Sequence, residues 1–155
     1  MRRVAATRLA DKRLLLAVSL FLERQARRLG PSGLILSSFQ SGDRFPALTR
    51  NRYAALASEA ALVVALGMEP EPGPGVRGAA LEPGDVLAGE WSVVVLGPHF
   101  AAALVAVDLG DKGPEMERRF EFALTYDRDL VTDAAAALMR RVVPATDRLP
   151  VSAST

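Results

Sequence analysis

Cysteine is absent from the 155-residue sequence, and His99 is its single histidine. Without thiols, the chain forms no disulfide bonds, thiolate zinc sites or cysteine nucleophiles. One histidine, no cysteine and no closely spaced set of carboxylates also leave too few ligands for a metal site. Absence of cysteine fits a reducing compartment, and we expect the protein to be cytoplasmic.

Long apolar runs are also missing. Residues 14–22 (LLLAVSLFL) follow several basic residues, as in a secretory signal, but the charged segment at 23–28 offers no small-residue cleavage site. Nine residues fall far short of the roughly twenty that cross a bilayer. Residues 11–29 are therefore interpreted as an unprocessed helix without membrane contact.

This helix is apolar over most of its circumference. Its predicted inner stripe contains Leu14, Val18, Phe21 and Leu22, and further leucines widen that stripe. A face this broad can pack on a sheet and on a partner at once. Leu16 and Leu20 are accordingly predicted to lie in the interface of a homodimer.

The net charge is only +1, but it is unevenly distributed along the chain. Residues 1–67 contain 11 Lys and Arg against 4 Asp and Glu, whereas residues 68–155 contain 8 against 14. Such asymmetry favours self-association or attachment to a partner. The basic half lacks interleaved aromatic residues, zinc ligands and a helix-turn-helix pattern, so direct nucleic-acid binding is not expected.

Hydrophobic periodicity predicts a single α/β domain with a mixed five-stranded sheet flanked by about three helices. After the first helix, a strand at 34–39, a helix at 50–60 and a strand at 61–66 predict a β-α-β unit. A right-handed crossover makes the two strands of such a unit parallel. This unit places the middle helix on one face of the sheet.

The remaining strands are predicted at 91–96, 100–107 and 119–126, where they form an antiparallel meander. In the strand at 119–126, apolar and polar residues alternate, which predicts that its large apolar residues, Tyr126 among them, face inward. Asp127 is predicted to cap the final helix. The inner stripe of that helix is predicted to consist of Val131, Ala134, Leu138 and Val142.

Residues 67–89 contain six glycines and four prolines, which predicts a long connection without regular structure. The segment GPGVRG at 73–78 formally matches the G-x-G-x-x-G dinucleotide fingerprint. That fingerprint requires a strand directly before it and a helix that opens at the third glycine. Neither is predicted here, so the loop is not expected to bind a nucleotide.

No catalytic arrangement is evident. A Ser-His-Asp set would have to combine His99 with Ser37 or Ser38 and with Asp108, yet the chain has no G-x-S-x-G elbow to expose the serine. His99 itself lies in a predicted turn. We therefore predict that the protein is not an enzyme, and the sequence identifies no cofactor.

A mixture of aromatic and polar residues suits a small-molecule pocket, which in α/β proteins forms where strands and long loops diverge. The alternative is that these rings simply pack in the core. The hypothetical ligand-binding residues are Phe39, Gln40, Arg44, Phe45, Tyr53, Trp91 and Tyr126.

Several segments in series resemble one known family. They are Phe39-Gln40, Arg44-Phe45, Tyr53, EWSVVVLGP at 90–98 and RRFEFALTYDRDLV at 118–131. Together they resemble the DICT sensory domain, named for diguanylate cyclases and two-component systems. The resemblance covers residues 10–143, and residues 144–155 are predicted to be a disordered tail.

The resemblance implies a non-catalytic signal-input module that binds a small molecule or a partner and regulates a signalling or transcriptional output. This sequence shows no output domain, so we expect a stand-alone regulator or an input that meets its signalling output protein in trans. The alternative hypothesis is an interaction or dimerisation scaffold without a ligand.

Overall fold

The computed structural model describes residues 5–39, 47–67, 73–110 and 112–142. These residues form seven strands and three α-helices around one sheet. The strands are β1 (Arg8–Asp11), β2 (Leu34–Ser38), β3 (Leu62–Leu66), β4 (Arg77–Ala79), β5 (Glu90–Leu96), β6 (Ala101–Asp108) and β7 (Arg119–Thr125). The helices are α1 (Lys12–Leu29), α2 (Ala47–Ala57) and α3 (Arg128–Met139).

The sheet joins two units that the sequence predicts separately. Strands β2 and β3 pair in parallel across α2, which confirms the β-α-β unit. Strands β5, β6 and β7 pair antiparallel in succession, which confirms the meander. The units meet where β2 runs antiparallel to β5, with Ser37 opposite Val93, and the full strand order is β1-β7-β6-β5-β2-β3-β4.

The prediction of five strands is wrong, because a short strand extends each edge of the sheet. β1 pairs antiparallel with β7, and β4 pairs in parallel with β3. β4 and a short 3-10 helix at Val86–Gly89 lie within residues 67–89, which were expected to lack regular structure. Strands of three or four residues are defined by backbone pairing with a neighbour, and such lengths carry no periodic pattern in the sequence.

The two faces of the sheet are covered by different helices. α1 and α2 pack on one face, in a cluster that includes Ile35, Val95 and Leu104. α3 packs on the other face, against Leu36 and Val94. The central strands β2 and β5 are thus buried on both sides, as their continuous apolar sequences indicate.

α1 is rotated from its predicted orientation, so that only part of the predicted stripe faces the core: Leu22 is buried and Val18 packs against the core cluster. Leu15, Ser19, Leu22, Glu23 and Ala26 are its buried residues, whereas Leu14 and Phe21 are 49% and 42% exposed. Because the helix is apolar nearly all round, its sequence does not fix which side turns inward. None of the helices in the described ranges is long and apolar enough to span a membrane.

α3 begins and packs as predicted. The side chain of Asp127 accepts hydrogen bonds from the backbone N–H groups of Asp129 and Leu130, which confirms the cap. Val131 and Leu138 are buried, and Ala134 and Val142 pack against the same cluster.

Two further expectations concern the ends of the domain. Tyr126 was expected to face inward, but β7 ends at Thr125 and Tyr126 is 56% exposed, in edge-to-face contact with Phe100. The prediction fails because the chain leaves the sheet after Thr125, whereas the alternation of apolar and polar residues in the sequence continues to Tyr126. Residues 144–155, predicted to be a tail, lie outside the described residues.

We expect the Asp127→Ala variant to lower the free energy of unfolding by about 1 kcal/mol, because it removes an N-cap acceptor. Asp127→Asn retains an acceptor and should lose clearly less. Urea denaturation measures both values. The exposed Asp129 serves as control, since Asp129→Ala removes only a favourable dipole contact; equal losses for all three variants would contradict the capping role.

Candidate functional site

A cavity of about 560 Å³ lies between α1, α2 and the sheet face that these helices cover. Its volume falls within the range of roughly 300 to 1,000 Å³ typical of small-molecule sites. The lining residues are Lys12, Leu16, Ser19, Leu20, Glu23, Phe39, Thr49, Arg52, Tyr53, Ala88, Trp91, Val93, Asp108, Glu115, Met116, Arg118 and Phe120.

The floor of the cavity is aromatic. Trp91 projects from β5 and Phe120 from β7, and their rings meet edge to face with centroids 5.9 Å apart. Both side chains are almost completely buried. Trp91 is also the single tryptophan of the sequence. Leu16 and Leu20 of α1 contribute aliphatic surface to the same space.

A second aromatic pair lies where β2 meets α2. The rings of Phe39 and Tyr53 are in edge-to-face contact at 5.7 Å. Phe39 is held in place partly by Gly67, whose φ of 79° brings its backbone against the Phe39 carbonyl oxygen. A Cβ atom at position 67 would lie 2.4 Å from that oxygen, so only glycine fits there.

Tyr53 anchors α2 to the sheet through a buried hydrogen bond. Its hydroxyl lies 2.7 Å from the Ser37 hydroxyl, and both residues are fully buried. Burial raises the pKa of Tyr53 well above its ordinary value, and the negative charge of Glu23 adds to the rise. The hydrogen bond from Ser37 and the positive charge of Arg52 act in the opposite direction but are weaker. Tyr53 is therefore neutral at physiological pH.

One ion pair spans the cavity between the two helices. The Arg52 side chain donates to Glu23 across 2.8 Å and also to the Thr49 hydroxyl across 3.3 Å. The Glu23 side chain is only 9% exposed, so its charge requires this partner. The pair links the C-terminal half of α1 to α2.

A second ionic group lies at the start of α1. Lys12 pairs with Glu115, and Arg118 pairs with both Glu115 and Asp108. The Arg118 guanidinium also lies 5.6 Å from the ring centroid of Phe120, a cation-π distance. These contacts hold the connection between β6 and β7 against α1.

Ser19 is a polar residue without a partner on the helix side of the cavity. It is 5% exposed, and in the described part of the chain its hydroxyl has no hydrogen-bond partner. Buried hydroxyls in native proteins are normally satisfied, because leaving one unpaired costs free energy. Ser19 is thus a lining residue whose hydroxyl lacks a hydrogen bond in the described part of the chain.

The structure brings together three of the residues proposed from the sequence as a ligand site. Phe39, Tyr53 and Trp91 all line the cavity. Tyr126 does not, because it lies beyond the end of β7 against Phe100. Gln40, Arg44 and Phe45 lie outside the described residues.

Leu16 and Leu20, proposed as a dimer interface, also line the cavity. The exposed large apolar residues of α1 are instead Leu14 and Phe21. A homodimer formed by Leu16 and Leu20 remains a prediction, and a substitution at either residue would alter the cavity as well.

Sequence reasoning missed the polar part of the lining. Ser19 and Glu23 follow Leu15 at four-residue intervals, on the same buried face of α1. Two polar residues within an apolar stripe are a signal that could have indicated a lined cavity. Lys12 and Arg52 carry no such signal, since their partners Glu115 and Glu23 lie 103 and 29 positions away in the sequence.

No catalytic set is assembled from the residues considered in the sequence. His99 is exposed in the turn before β6, whereas Asp108 is the last residue of that strand. The Ser37 hydroxyl is bonded to Tyr53. Within the described residues, no group of three or more His, Cys, Asp and Glu side chains is arranged to hold a metal ion.

We expect Tyr53→Phe to lower the free energy of unfolding by roughly 1 to 3 kcal/mol, since it leaves the buried Ser37 hydroxyl unpaired. The raised pKa of Tyr53 has a second consequence. Its folded pKa exceeds the unfolded value of about 10, so the stability it contributes is complete below that pH and is lost as the pH rises further.

Urea denaturation between pH 7 and pH 11 tests both effects. Wild-type stability should fall above about pH 10, and Tyr53→Phe should make that fall shallower. Tyr126→Phe, which removes an exposed hydroxyl outside the cavity, is the matched control. The same alkaline loss in wild type and Tyr53→Phe would contradict the assignment.

Comparison with solved structures gives a similarity to TrmBL2, described as an archaeal chromatin protein with a novel mode of DNA binding. The identity is 11% and the TM-score 0.48, with 90% of this chain and 53% of that chain covered. The present chain therefore spans about half the length of that protein. A search of curated proteins finds no match.

A family model gives a specific result. The model is described as DICT, a sensory domain in diguanylate cyclases and two-component systems, and it matches residues 3–109. That range contains α1, α2 and the strands β1 to β6. The resemblance was expected over residues 10–143, but the RRFEFALTYDRDLV segment at 118–131, on which it partly rested, lies beyond the matched range. Because the match covers more than half of the sequence, the chain belongs to the DICT family of sensory domains.

Proposed function

We propose that the protein is a signal-input domain whose cavity binds a small molecule and thereby regulates a signalling or transcriptional output protein in the cytoplasm. The observation that carries this proposal is the cavity itself. It has the size of a ligand site, an aromatic floor and a buried serine hydroxyl without a partner in the described residues. Membership of a sensory family supports the same conclusion.

The lining of the cavity suits binding better than catalysis. Its carboxylates at Glu23, Asp108 and Glu115 are engaged by arginine or lysine side chains. Ser19 carries a buried hydroxyl that lacks a hydrogen-bond partner among the described residues, so no base lies within hydrogen-bond distance of it there. A serine without an adjacent base is a poor nucleophile.

α2 is the wall most able to respond to a ligand. Of its described residues, only Tyr53 and Leu56 are buried, and Leu48 is 74% exposed. Its polar attachments include the Tyr53–Ser37 hydrogen bond and the Arg52–Glu23 ion pair, both of which border the cavity. A ligand that contacts α1 and α2 together would shift the balance between arrangements of α2.

Filling the cavity should abolish ligand binding. Leu20→Trp adds an indole to the lining, whereas Leu14→Trp places the same ring on the exposed side of α1. Each protein is incubated with a cellular small-molecule extract and measured by native mass spectrometry. Wild type and Leu14→Trp should retain a bound small molecule, and Leu20→Trp should not.

Thermal denaturation establishes that both tryptophan variants are folded before the comparison is made. A ligand that remains bound to folded Leu20→Trp would place the binding site elsewhere. The absence of any bound molecule in all three proteins would contradict the sensory cavity.

A second candidate function follows from the exposed face of α1. Leu14, Ala17 and Phe21 form an apolar strip there, and the exposed Arg13, Arg24 and Arg28 flank it. The single acidic residue of α1, Glu23, is buried and paired. We propose that this strip docks an acidic amphipathic helix of the output protein.

The arginines that flank the strip favour an acidic partner over a second copy of the chain. Two copies in contact through this strip would bring their arginines together, and like charges repel. An acidic rim around an apolar stripe would complement the strip instead. Because the strip and the cavity lie on different sides of α1, the protein could bind a ligand in the cavity and a partner helix on the strip at the same time.

A designed helical peptide with a leucine stripe and glutamate flanks tests the surface, with the lysine-flanked version as its control. Fluorescence anisotropy should show binding of the glutamate peptide alone, lost in Leu14→Ser/Phe21→Ser and weakened by salt. Light scattering at low salt should give the same mass for wild type and for Leu14→Ser/Phe21→Ser. A dimer that dissociates in the double variant would show that the strip binds a second copy.

A further inference from the structure

Among the described residues, the charged side chains that line the cavity balance one another. Lys12, Arg52 and Arg118 contribute three positive charges, and Glu23, Asp108 and Glu115 contribute three negative ones. Each cation is paired with at least one of these carboxylates. An ion that entered would lose its hydration without gaining an uncommitted counter-charge from this set, which is unfavourable.

Apart from these ion pairs, much of the cavity lining consists of aromatic and aliphatic side chains. Trp91 and Phe120 form the floor, and Leu16, Leu20 and Met116 supply aliphatic surface around it. Aromatic rings attract further rings at centroid distances of roughly 4.5 to 7 Å. The space therefore favours a ligand with a ring-containing apolar body.

Ser19 adds a requirement for one polar group. Ser19 lies on α1 between Leu16 and Leu20 in sequence and lines the same cavity, with its hydroxyl oxygen buried in the cavity wall. Ser19 is only 5% exposed, and its hydroxyl has no hydrogen-bond partner in the described part of the chain. A hydroxyl both donates and accepts, so either an alcohol or a carbonyl on the ligand would satisfy it.

From these three observations we infer that the cavity takes an uncharged molecule with an apolar ring-containing body and a hydroxyl or carbonyl group that hydrogen-bonds Ser19. The inference rests on the proposed function and defines the chemical class of its ligand. The paired charges at either end act as walls of the site and hold α1 to α2 and to the β6–β7 connection.

Trp91 allows direct measurement, because the only tryptophan of the chain lies in the cavity floor. The probes share one skeleton and differ in one group: 4-phenylbutan-1-ol, 4-phenylbutanoate, 4-phenylbutylamine and butylbenzene. Titration of each into the full chain, with excitation at a wavelength that the phenyl ring does not absorb, gives a dissociation constant from the change in Trp91 emission.

The alcohol should bind at least about tenfold more tightly than either charged analogue, because the ions lose their hydration. Ser19→Ala should weaken the alcohol by roughly five- to tenfold, the usual effect of one hydrogen bond, and should leave butylbenzene unchanged. Ser58→Ala, which alters an exposed serine bonded to the Ala55 carbonyl outside the lining, is the control.

Ser19→Ala removes a buried hydroxyl that has no partner in the described residues, so the variant should be at least as stable as wild type. Tightest binding of a charged analogue would overturn the ligand class and leave a sensory cavity intact. Equal affinity of wild type and Ser19→Ala for the alcohol would overturn the role of Ser19. If none of the four probes changes Trp91 emission, the ligand class is wrong, and the comparison of Leu20→Trp with Leu14→Trp decides separately on the sensory function.

Discussion

The antiparallel pairing of β2 with β5 is the constraint on which the cavity depends. It joins the β-α-β unit to the meander and sets Ser37 opposite Val93 on the face that α1 and α2 cover. Tyr53 reaches Ser37 from α2, while Trp91 lies two residues from Val93 on the same side of β5. A shift of one residue in this register would turn Trp91 and Val93 toward α3 and remove the floor of the cavity.

Much of the fold follows from local patterns in the sequence. The alternation and continuous apolar runs of β2, β3, β5, β6 and β7 predict these five of the seven strands, and Asp127 marks the start of α3. The edge strands β1 and β4 are not predictable in this way, since three or four residues contain too little pattern. The rotation of α1 is equally hidden, because leucines surround the helix and only packing on the sheet selects Leu15 and Leu22.

The site is harder to predict than the fold because it is formed by contacts that are distant in sequence. Lys12 and Glu115 are 103 positions apart, and Glu23 and Arg52 are 29 apart. Charged residues on helices usually face solvent, so neither pair is visible in the sequence. Aromatic residues are more informative, since a ring placed next to a strand or on an inner helix face tends to be buried. Phe39, Tyr53 and Trp91 were proposed as ligand-binding residues and do line the cavity, whereas Tyr126 lies outside it against Phe100.

Gly67 shows how a residue outside the cavity can determine what happens within it. Its backbone occupies a positive φ and lies against the carbonyl of Phe39, where a side chain would collide. Any replacement would displace the end of β2 and, with it, the ring that packs on Tyr53. Under the proposed function, a genetic screen for loss of signal would therefore recover substitutions at position 67 together with those at residues that line the cavity. Their phenotype would come from a displaced cavity wall, although Gly67 is not among the lining residues.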